Sequence, residues 1–301
     1  MLKRHSLAPV TVLLAAVVLC VVVAAAGTAL RGSDVLSPTG TAGAAADAPP
    51  LTVYFLDMGQ ADAALLCSEG EAILIDAGND EDRTFVLSFL EQKGVDRLTL
   101  AVGTHGHEDH IGALDEVIAA VPTEQLLLSP VPADTKTYRN LLAAAERAKV
   151  PVTYPAPGDQ FSFGCCDMTV LGPIGVFGED YEDLNDSSLS LLVSCGETTF
   201  FFTGDMERPM ELILLDNWDL QEVDVLKVGH HGSGDATCYP FLRALMPTYA
   251  VISVGADNPY GHPHENLLSR LRDADATVLR TDQLGTITLV SDGQTVRVVS
   301  P

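Results

Sequence analysis

From Leu51 onward, short apolar runs bounded by Gly, Asp and Asn alternate with segments of helical spacing. Thr52–Leu56, Ala63–Cys67 and Ala72–Ile75 have the length and the Leu, Ile, Val and Tyr content of β-strands. Within Asp82–Lys93, Phe85, Val86, Phe89 and Leu90 recur at helical spacing, and Gly94 supplies a C-terminal stop. Leu98–Val102 predicts a strand that runs into a His-rich loop. Further strands are expected at Gln125–Leu128, Met168–Leu171, Ser188–Cys195, Thr198–Thr203, Val223–Val228, Tyr249–Val254, Thr277–Arg280, Thr286–Val290 and Thr295–Val299. Helices are expected at Gly112–Ala120, Tyr138–Lys149, Met210–Leu215, Tyr239–Leu245 and Glu265–Asp273. Many strands with interspersed helices predict a layered α/β body in which helices cover a sheet or a pair of sheets.

The N-terminal segment follows another pattern. Lys3, Arg4 and His5 precede an uncharged apolar run of 24 residues, Leu7–Leu30. That run is long enough to cross a bilayer as an uncleaved anchor. Equally, Ala24-Ala25-Ala26 offers small residues for signal-peptide cleavage before Gly27. Either fate puts the body outside the cytoplasm, secreted or anchored to the cell membrane, by the positive-inside bias. Cys20 follows a bulky Leu19 and reads as an apolar residue of the run, not a lipidation site. Residues 1–30 are therefore expected to be a signal peptide or anchor, 31–50 a flexible linker rich in Gly, Ala, Ser, Thr and Pro, and 51–301 the folded domain.

Charge narrows the function. The chain of 301 residues is 47% hydrophobic, enough for a substantial core, and its formal net charge is -24. Removing Lys3, Arg4, Arg31, Asp34 and Asp47 from the totals of 17 basic and 41 acidic side chains leaves 14 and 39 in the body. A broad basic surface for nucleic acid is thereby excluded, because nonspecific affinity comes from Lys and Arg neutralising phosphates. An anionic substrate would have to be drawn in locally, by metal ions for example. The body holds five cysteines: Cys67, Cys165, Cys166, Cys195 and Cys238. The number is odd, no CxxC pair occurs, and no disulfide can be assigned by spacing. Paired thiolate spacing for a metal is absent. Cys67 and Cys195 end apolar runs and are expected as buried thiols.

The chemistry gathers where strands end. Thr104-His105-Gly106-His107-Glu108-Asp109-His110 follows the strand Leu98–Val102 and precedes a helix. Three imidazoles and the carboxylate of Asp109 in so short a loop are costly to bury together unless a cation organises them. Alternate residues of such a loop can point at one ion while Asp109 and His110 turn towards a second. Thr198–Thr203 ends in Gly204-Asp205, and Val223–Val228 ends in Gly229-His230-His231-Gly232-Ser233. Each strand delivers a ligand-type side chain to a loop edge, where open α/β folds place their sites. The flanking glycines let the backbone come close to an ion.

THGHEDH resembles the HxHxDH signature of the metallo-β-lactamase superfamily. FLDMGQADAALL, LIDAG, THGHEDHIGAL, NDSSLSLLV, FFTGDM, VLKVGHHGS, SVGADNPYGHPH and RTDQLGTITL, in that order, resemble the extracytoplasmic hydrolase domain of ComEC-type competence proteins. With one possible membrane span, the chain is expected to be a stand-alone, exported relative of that domain, not the multi-span DNA channel. The resemblance implies an αββα sandwich and two divalent metal ions, zinc or manganese. It implies that His105 and His107 bind the first ion, that Asp109 and His110 bind the second, and that Asp205 bridges them. The His230-His231 pair supplies the last histidine. His230 is assigned to the metal set and His231 to catalysis, although spacing leaves open which ring ligates. Asp76 in LIDAG is expected to support the histidine loop by hydrogen bonds.

Many superfamily members carry a further His between the signature and the bridging Asp. Here no His lies between His110 and His230. The first ion is then left to weaker oxygen ligands from Asn185, Asp186 or water, which favours a harder ion and partial occupancy. His262 and His264, in GHPH, are candidates to hold a phosphate oxygen or to protonate a leaving group, and Gln60 is a candidate pocket-lining amide. Asp109, His231 and His264 are the expected catalytic side chains.

Two such ions would lower the pKa of a shared water and stabilise charge on substrate oxygens. The resemblance implies a metal-dependent phosphodiesterase or nuclease acting on a small phosphodiester or DNA outside the cytoplasm, in contact with the membrane if the N-terminal segment is uncleaved. Two alternatives stand beside it: a hydrolase of lactones or β-lactams on the same metal site, and a non-catalytic module that keeps the fold.

Overall fold

A computed structural model describes residues 50–175 and 184–300 of the chain. The expected leader and all of the linker but Pro50 lie outside these residues. Among the described residues no helix is long and apolar enough to cross a membrane.

The first half builds strands β1 (Leu51–Phe55), β2 (Ala64–Ser68), β3 (Glu71–Ile75), β4 (Leu98–Gly103), β5 (Thr123–Leu128) and β6 (Val152–Thr153). The second builds β7 (Gln160–Phe163), β8 (Cys166–Gly172), β9 (Ser190–Cys195), β10 (Thr198–Phe202), β11 (Val225–Lys227), β12 (Tyr249–Ile252) and β13 (Thr277–Arg280). Two final strands, β14 (Ile287–Ser291) and β15 (Val296–Ser300), return to the first sheet. Strand order is β15-β14-β1-β2-β3-β4-β5-β6 in one sheet and β13-β12-β11-β10-β9-β8-β7 in the other. The strand β1 pairs antiparallel with both β2 and β14, so the two ends of the domain meet in one sheet.

Strands β3 to β6 run parallel, and so do β10 to β13. Parallel neighbours need crossover connections. These are helices α1 (Arg83–Gln92), α2 (Glu108–Ile111), α3 (Leu114–Ala120), α4 (Lys136–Ala148), α5 (Arg208–Asn217), α6 (Tyr239–Leu245) and α7 (Glu265–Asp273). A last turn, α8 (Thr281–Leu284), leads from β13 towards β14.

Side-chain alternation sets the layers. In β1, Leu51, Val53 and Phe55 are buried while Thr52 and Tyr54 are half-buried, the period-two pattern of a strand with one core face. Leu51, Val53, Phe55, Ile73, Ile75, Leu100 and Val102 pack against Val170, Leu191, Val193, Phe200 and Phe202 between the sheets. Phe55 and Phe202 stack across that interface with ring centroids 5.7 Å apart. The opposite faces are covered too. Leu74, Leu98 and Ala101 meet Val86, Leu90, Leu114, Val117 and Leu141 of the first helices. Phe201, Leu226 and Ala250 meet Leu214, Phe241, Leu242 and Leu267 of the later ones. Burial on both faces explains why β4 and β10 read as continuous apolar runs. The result is the expected αββα sandwich.

Differences from the sequence expectation lie at edges. The short strands β6 and β7 end their sheets; β6 has only two residues, and β7 is a four-residue alternation, Gln160-Phe161-Ser162-Phe163, that the sequence expectation omits. The helix predicted at Gly112–Ala120 starts at Leu114, after the separate turn α2. The strand predicted from Ser188 starts at Ser190, because Asn185–Ser187 forms a 3₁₀ turn that leads into it. Cys195 is buried as expected, whereas Cys67 is only half-buried.

Candidate metal centre

All the histidine-bearing loops leave the C-terminal ends of parallel strands. The strand β3 delivers Asp76, β4 delivers His105 to His110, β10 delivers Asp205, and β11 delivers His230 and His231. Their common direction is what brings segments far apart in the chain to one end of the sandwich. The backbone is bent into the left-handed region at Asp76, His230 and His231, with φ of 57°, 47° and 51°. Such conformations are strained for side chains with a Cβ and cluster at functional sites. Close approach also requires Gly204, since a Cβ there would lie 2.9 Å from the Ser188 side chain.

Asp109, His110, Asp205 and His231 each offer a ligand atom, all within 4.8 Å of one another. His110 Nε2 lies 3.2 Å from Asp205 Oδ1. His231 Nε2 lies 3.2 Å from Asp109 Oδ2 and 3.5 Å from Asp205 Oδ2. His110 Nε2 and Asp205 Oδ1 are buried, and neither makes a hydrogen bond of acceptable geometry. They face each other across a gap, an arrangement that suits a cation.

Behind the cluster, each ring has its Nδ1 occupied. His110 Nδ1 donates to Asp76 Oδ2 at 2.8 Å. His231 Nδ1 donates to the Ser253 carbonyl at 3.1 Å. Thr104 gives its hydroxyl proton to Asp76 at 2.8 Å, so its oxygen is free to accept from His105 Nδ1 at 3.3 Å. Ser188 Oγ stands 3.3 Å from the same nitrogen and accepts the Asp205 amide at 3.1 Å. These contacts fix the tautomers and turn the Nε2 lone pairs forward. Asp76 holds the position expected of it, accepting from both the amide and the hydroxyl of Thr104.

His105 Nε2 approaches His107 Nδ1 at 2.9 Å. Among the described residues no third His, Cys, Asp or Glu completes this pair to a ligand group. Asn185 lines the cavity, and its Oδ1 is buried without a hydrogen bond. Asp186 accepts the Glu207 amide at 2.9 Å, which ties it to the start of α5.

The histidine pair is placed the other way round from its assignment. His231 is 2% exposed and belongs to the four-residue group. His230 is held at the rim by Glu207 Oε1, 2.9 Å from its Nδ1, with its side chain 27% exposed. His264 does not line the cavity. Its Nδ1 accepts the Gly234 amide at 2.8 Å, so it braces the loop that carries His231. His262 does line the cavity, beside Gln60, Tyr260 and His230. Gln60 uses its carbonyl to accept the Gly255 amide at 3.1 Å, so its NH₂ faces His262 Nδ1 at 3.4 Å. That leaves His262 with its proton on Nε2.

Two residues of the site escape the motif reading. Lys227 is buried in β11 and pairs with Asp62 at 2.7 Å. Asp62 Oδ1 lies 3.4 Å from His231 Nδ1. The signal was a charge inside an apolar run in each case, ADAALL and VLKVG, since such charges must find each other when buried.

Electrostatics in the metal-free protein follow from this crowding. Burial opposes charge on His110, but Asp205 and Asp76 outweigh it and raise its pKa well above the usual imidazole range. Burial likewise opposes charge on His231, and Asp205 and Asp62 raise it to about 10. Burial also opposes charge on Asp205, yet His110 and His231 hold its carboxyl well below the usual range. Protons on two rings therefore supply positive charge in the metal-free cluster. His105 behaves oppositely: burial, with His110 beside it, holds it well below.

With fold and site described, the class of protein is defined. Residues 56–156 match the metallo-beta-lactamase superfamily profile, and the chain carries a metallo-β-lactamase domain. The coarse chemistry that belongs to this domain is metal-dependent hydrolysis. ComE operon protein 3 of Bacillus subtilis (strain 168) is 33% identical over 202 residues, 67% of this chain and 26% of that protein. Recombination protein 2 of Haemophilus influenzae is 28% identical over 244 residues, 79% of this chain and 29% of that protein. The chain thus spans under a third of the length of these curated relatives. In fold it is similar to the metallo-beta-lactamase fold protein YhfI from Bacillus subtilis, with TM-score 0.50 and 14% identity, over 77% of this chain and 96% of that one.

Replacing Asp62 by Asn is expected to weaken divalent-ion binding about 10–100-fold, as loss of a ligand's outer partner does. Titration calorimetry with zinc or manganese measures this, and unchanged affinity would contradict the role given to Asp62. A second expectation concerns pH. His231 stands at about 10 in the folded chain against 6.5 for a free imidazole. Its contribution is fully present below pH 6.5 and is lost as pH rises from there to about 10. The melting temperature of the metal-free protein should fall over that range and fall less with the ion bound. A flat metal-free profile would contradict the assignment.

Proposed function

We propose that the chain is a metal-dependent phosphodiesterase or nuclease that acts outside the cytoplasm. The observation that carries this reading is the lining of the cavity at the metal centre. The cavity holds about 320 Å³, and its walls are Gln60, His107, Glu108, Asp109, Asn185, Asp205, His230, His231, Tyr260 and His262. Pockets for small organic ligands are mostly apolar, and this one lacks the apolar wall that a β-lactam or an acyl-lactone side chain would occupy. Nitrogen donors around an anion-attracting centre suit a phosphodiester instead.

Asp109, His110, Asp205 and His231 would hold one divalent ion, zinc or manganese, and His105 and His107 a second, weaker one. Bound there, such ions supply Lewis acidity towards phosphoryl oxygens and lower the pKa of the attacking water. The chain's own groups do the positioning. His262, its tautomer set by Gln60, presents Nε2–H to a non-bridging oxygen. His230, buttressed by Glu207, stands within the same cavity and is placed to exchange a proton with a leaving oxygen. The body's excess of 39 acidic over 14 basic side chains favours a small phosphodiester or a short stretch of DNA over a long clamped duplex. The named competence-related relatives and the apolar N-terminal run support an extracytoplasmic setting.

The test uses purified full chain, stripped of metal and refilled with zinc or manganese. Bis-p-nitrophenyl phosphate, linear DNA and a β-lactam are offered in parallel. Metal-dependent phosphodiester cleavage is expected, falling at least about 100-fold in Asp109→Ala. Lactam hydrolysis without phosphodiester cleavage would overturn the reading.

A further inference from the structure

Three sulfurs meet at the end of β9 that points away from Ser188 and the metal centre. Gly164 and Cys165 form the two-residue turn of the β7–β8 hairpin, in which Phe163 pairs with Cys166. Cys166 in turn stands directly opposite Cys195 in the β8–β9 register. Cys165 Sγ lies 3.2 Å from Cys195 Sγ. The Sγ atoms of all three lie within 4.8 Å of one another. Cys166 and Cys195 are buried between the sheets, and Cys165 is exposed. The turn is pinned in place. The Cys165 amide donates to Ser68 Oγ at 3.2 Å, and a Cβ on Gly164 would meet that same oxygen at 2.4 Å.

We propose that Cys165 and Cys195 form a disulfide when the chain meets a disulfide oxidant, with Cys166 left as a thiol. Sulfurs held by a tetrahedral zinc ion at about 2.3 Å stand about 3.8 Å apart. The 3.2 Å pair is closer than that, which favours a covalent bond over a shared ion. Reaching a bond length of about 2.05 Å takes a movement of about 1 Å. Burial raises the Cys166 thiol to about 11 and the Cys195 thiol further still, so exchange starts at the exposed Cys165, and the 3.2 Å approach of Cys195 selects it as the partner. The Cys165 thiolate attacks one sulfur of oxidised glutathione and releases one glutathione thiolate. The Cys195 sulfur then displaces the second glutathione, and its proton ends on the departing glutathione thiolate. Both protein sulfurs are oxidised, and one glutathione disulfide becomes two glutathione thiols. The bond closes a loop that contains Asn185 and Ser188, both at the metal centre.

The experiment treats the purified full chain with oxidised glutathione, alkylates the remaining thiols under denaturing conditions and maps peptides by mass spectrometry. A linked Cys165–Cys195 peptide pair with Cys166 alkylated is expected. The oxidised form should melt about 5–10 °C above the reduced form. That difference should vanish in Cys195→Ser and also in Cys165→Ser, which alters an exposed turn and keeps the test open if the buried variant does not fold. A Cys166–Cys195 link would overturn the pairing. Complete alkylation of all the body's thiols after oxidation, or uptake of one zinc ion by the three sulfurs in its place, would overturn the proposal.

Discussion

Asp205 is a carboxylate with almost no water around it, and the rest of the site exists on terms set by that burial. An isolated charge there would be prohibitively unfavourable. Its compensation comes from His110 and His231, whose rings in turn are oriented by Asp76, Ser253 and Asp62. In the metal-free chain the compensation takes the form of bound protons. The same geometry, with Nε2 atoms turned forward and Asp205 Oδ1 facing one of them without a hydrogen bond, is what a divalent ion needs. Protons and ion compete for one set of lone pairs, so loading and pH are linked.

The sandwich makes that cluster affordable by geometry alone. Parallel strands in both sheets end on one side, where β3, β10 and β11 each add one or two polar side chains to the larger set on the loop after β4. The strain that remains, at Asp76, His230 and His231, is held by the rigid strands on which these residues sit. Lys227 and Asp62 extend the pattern inward, as a buried ion pair beneath the ring that completes the metal group. Breaking such a pair by removing one partner leaves an uncompensated charge, which is why it behaves as part of the site.

Much of this is readable from the residues alone. Strand-length apolar runs locate 13 of the 15 strands among the described residues to within a few residues, because each buries at least one face. The THGHEDH, GD and GHHGS loops locate the ligand-bearing ends. What is not readable depends on direction. His230 and His231 are identical neighbours, and only the local backbone, left-handed at both, turns the second inward and the first to the rim. His264 looks like a site residue until its Nδ1 is seen to accept the Gly234 amide. The strand β6, with two residues, is too short to show a period, and β7 alternates over only four residues. The cysteine trio joins one hairpin turn to the end of a strand 30 residues away, a contact no local spacing reveals.

The central claim is that the group formed by Asp109, His110, Asp205 and His231 binds a divalent ion. Crystals of the purified chain soaked with manganese or zinc, with data collected at the metal's absorption edge, test it most directly. The account predicts an anomalous difference peak among these four side chains, stronger than any peak at His105 and His107. No peak there, or a peak confined to His105 and His107, would contradict it.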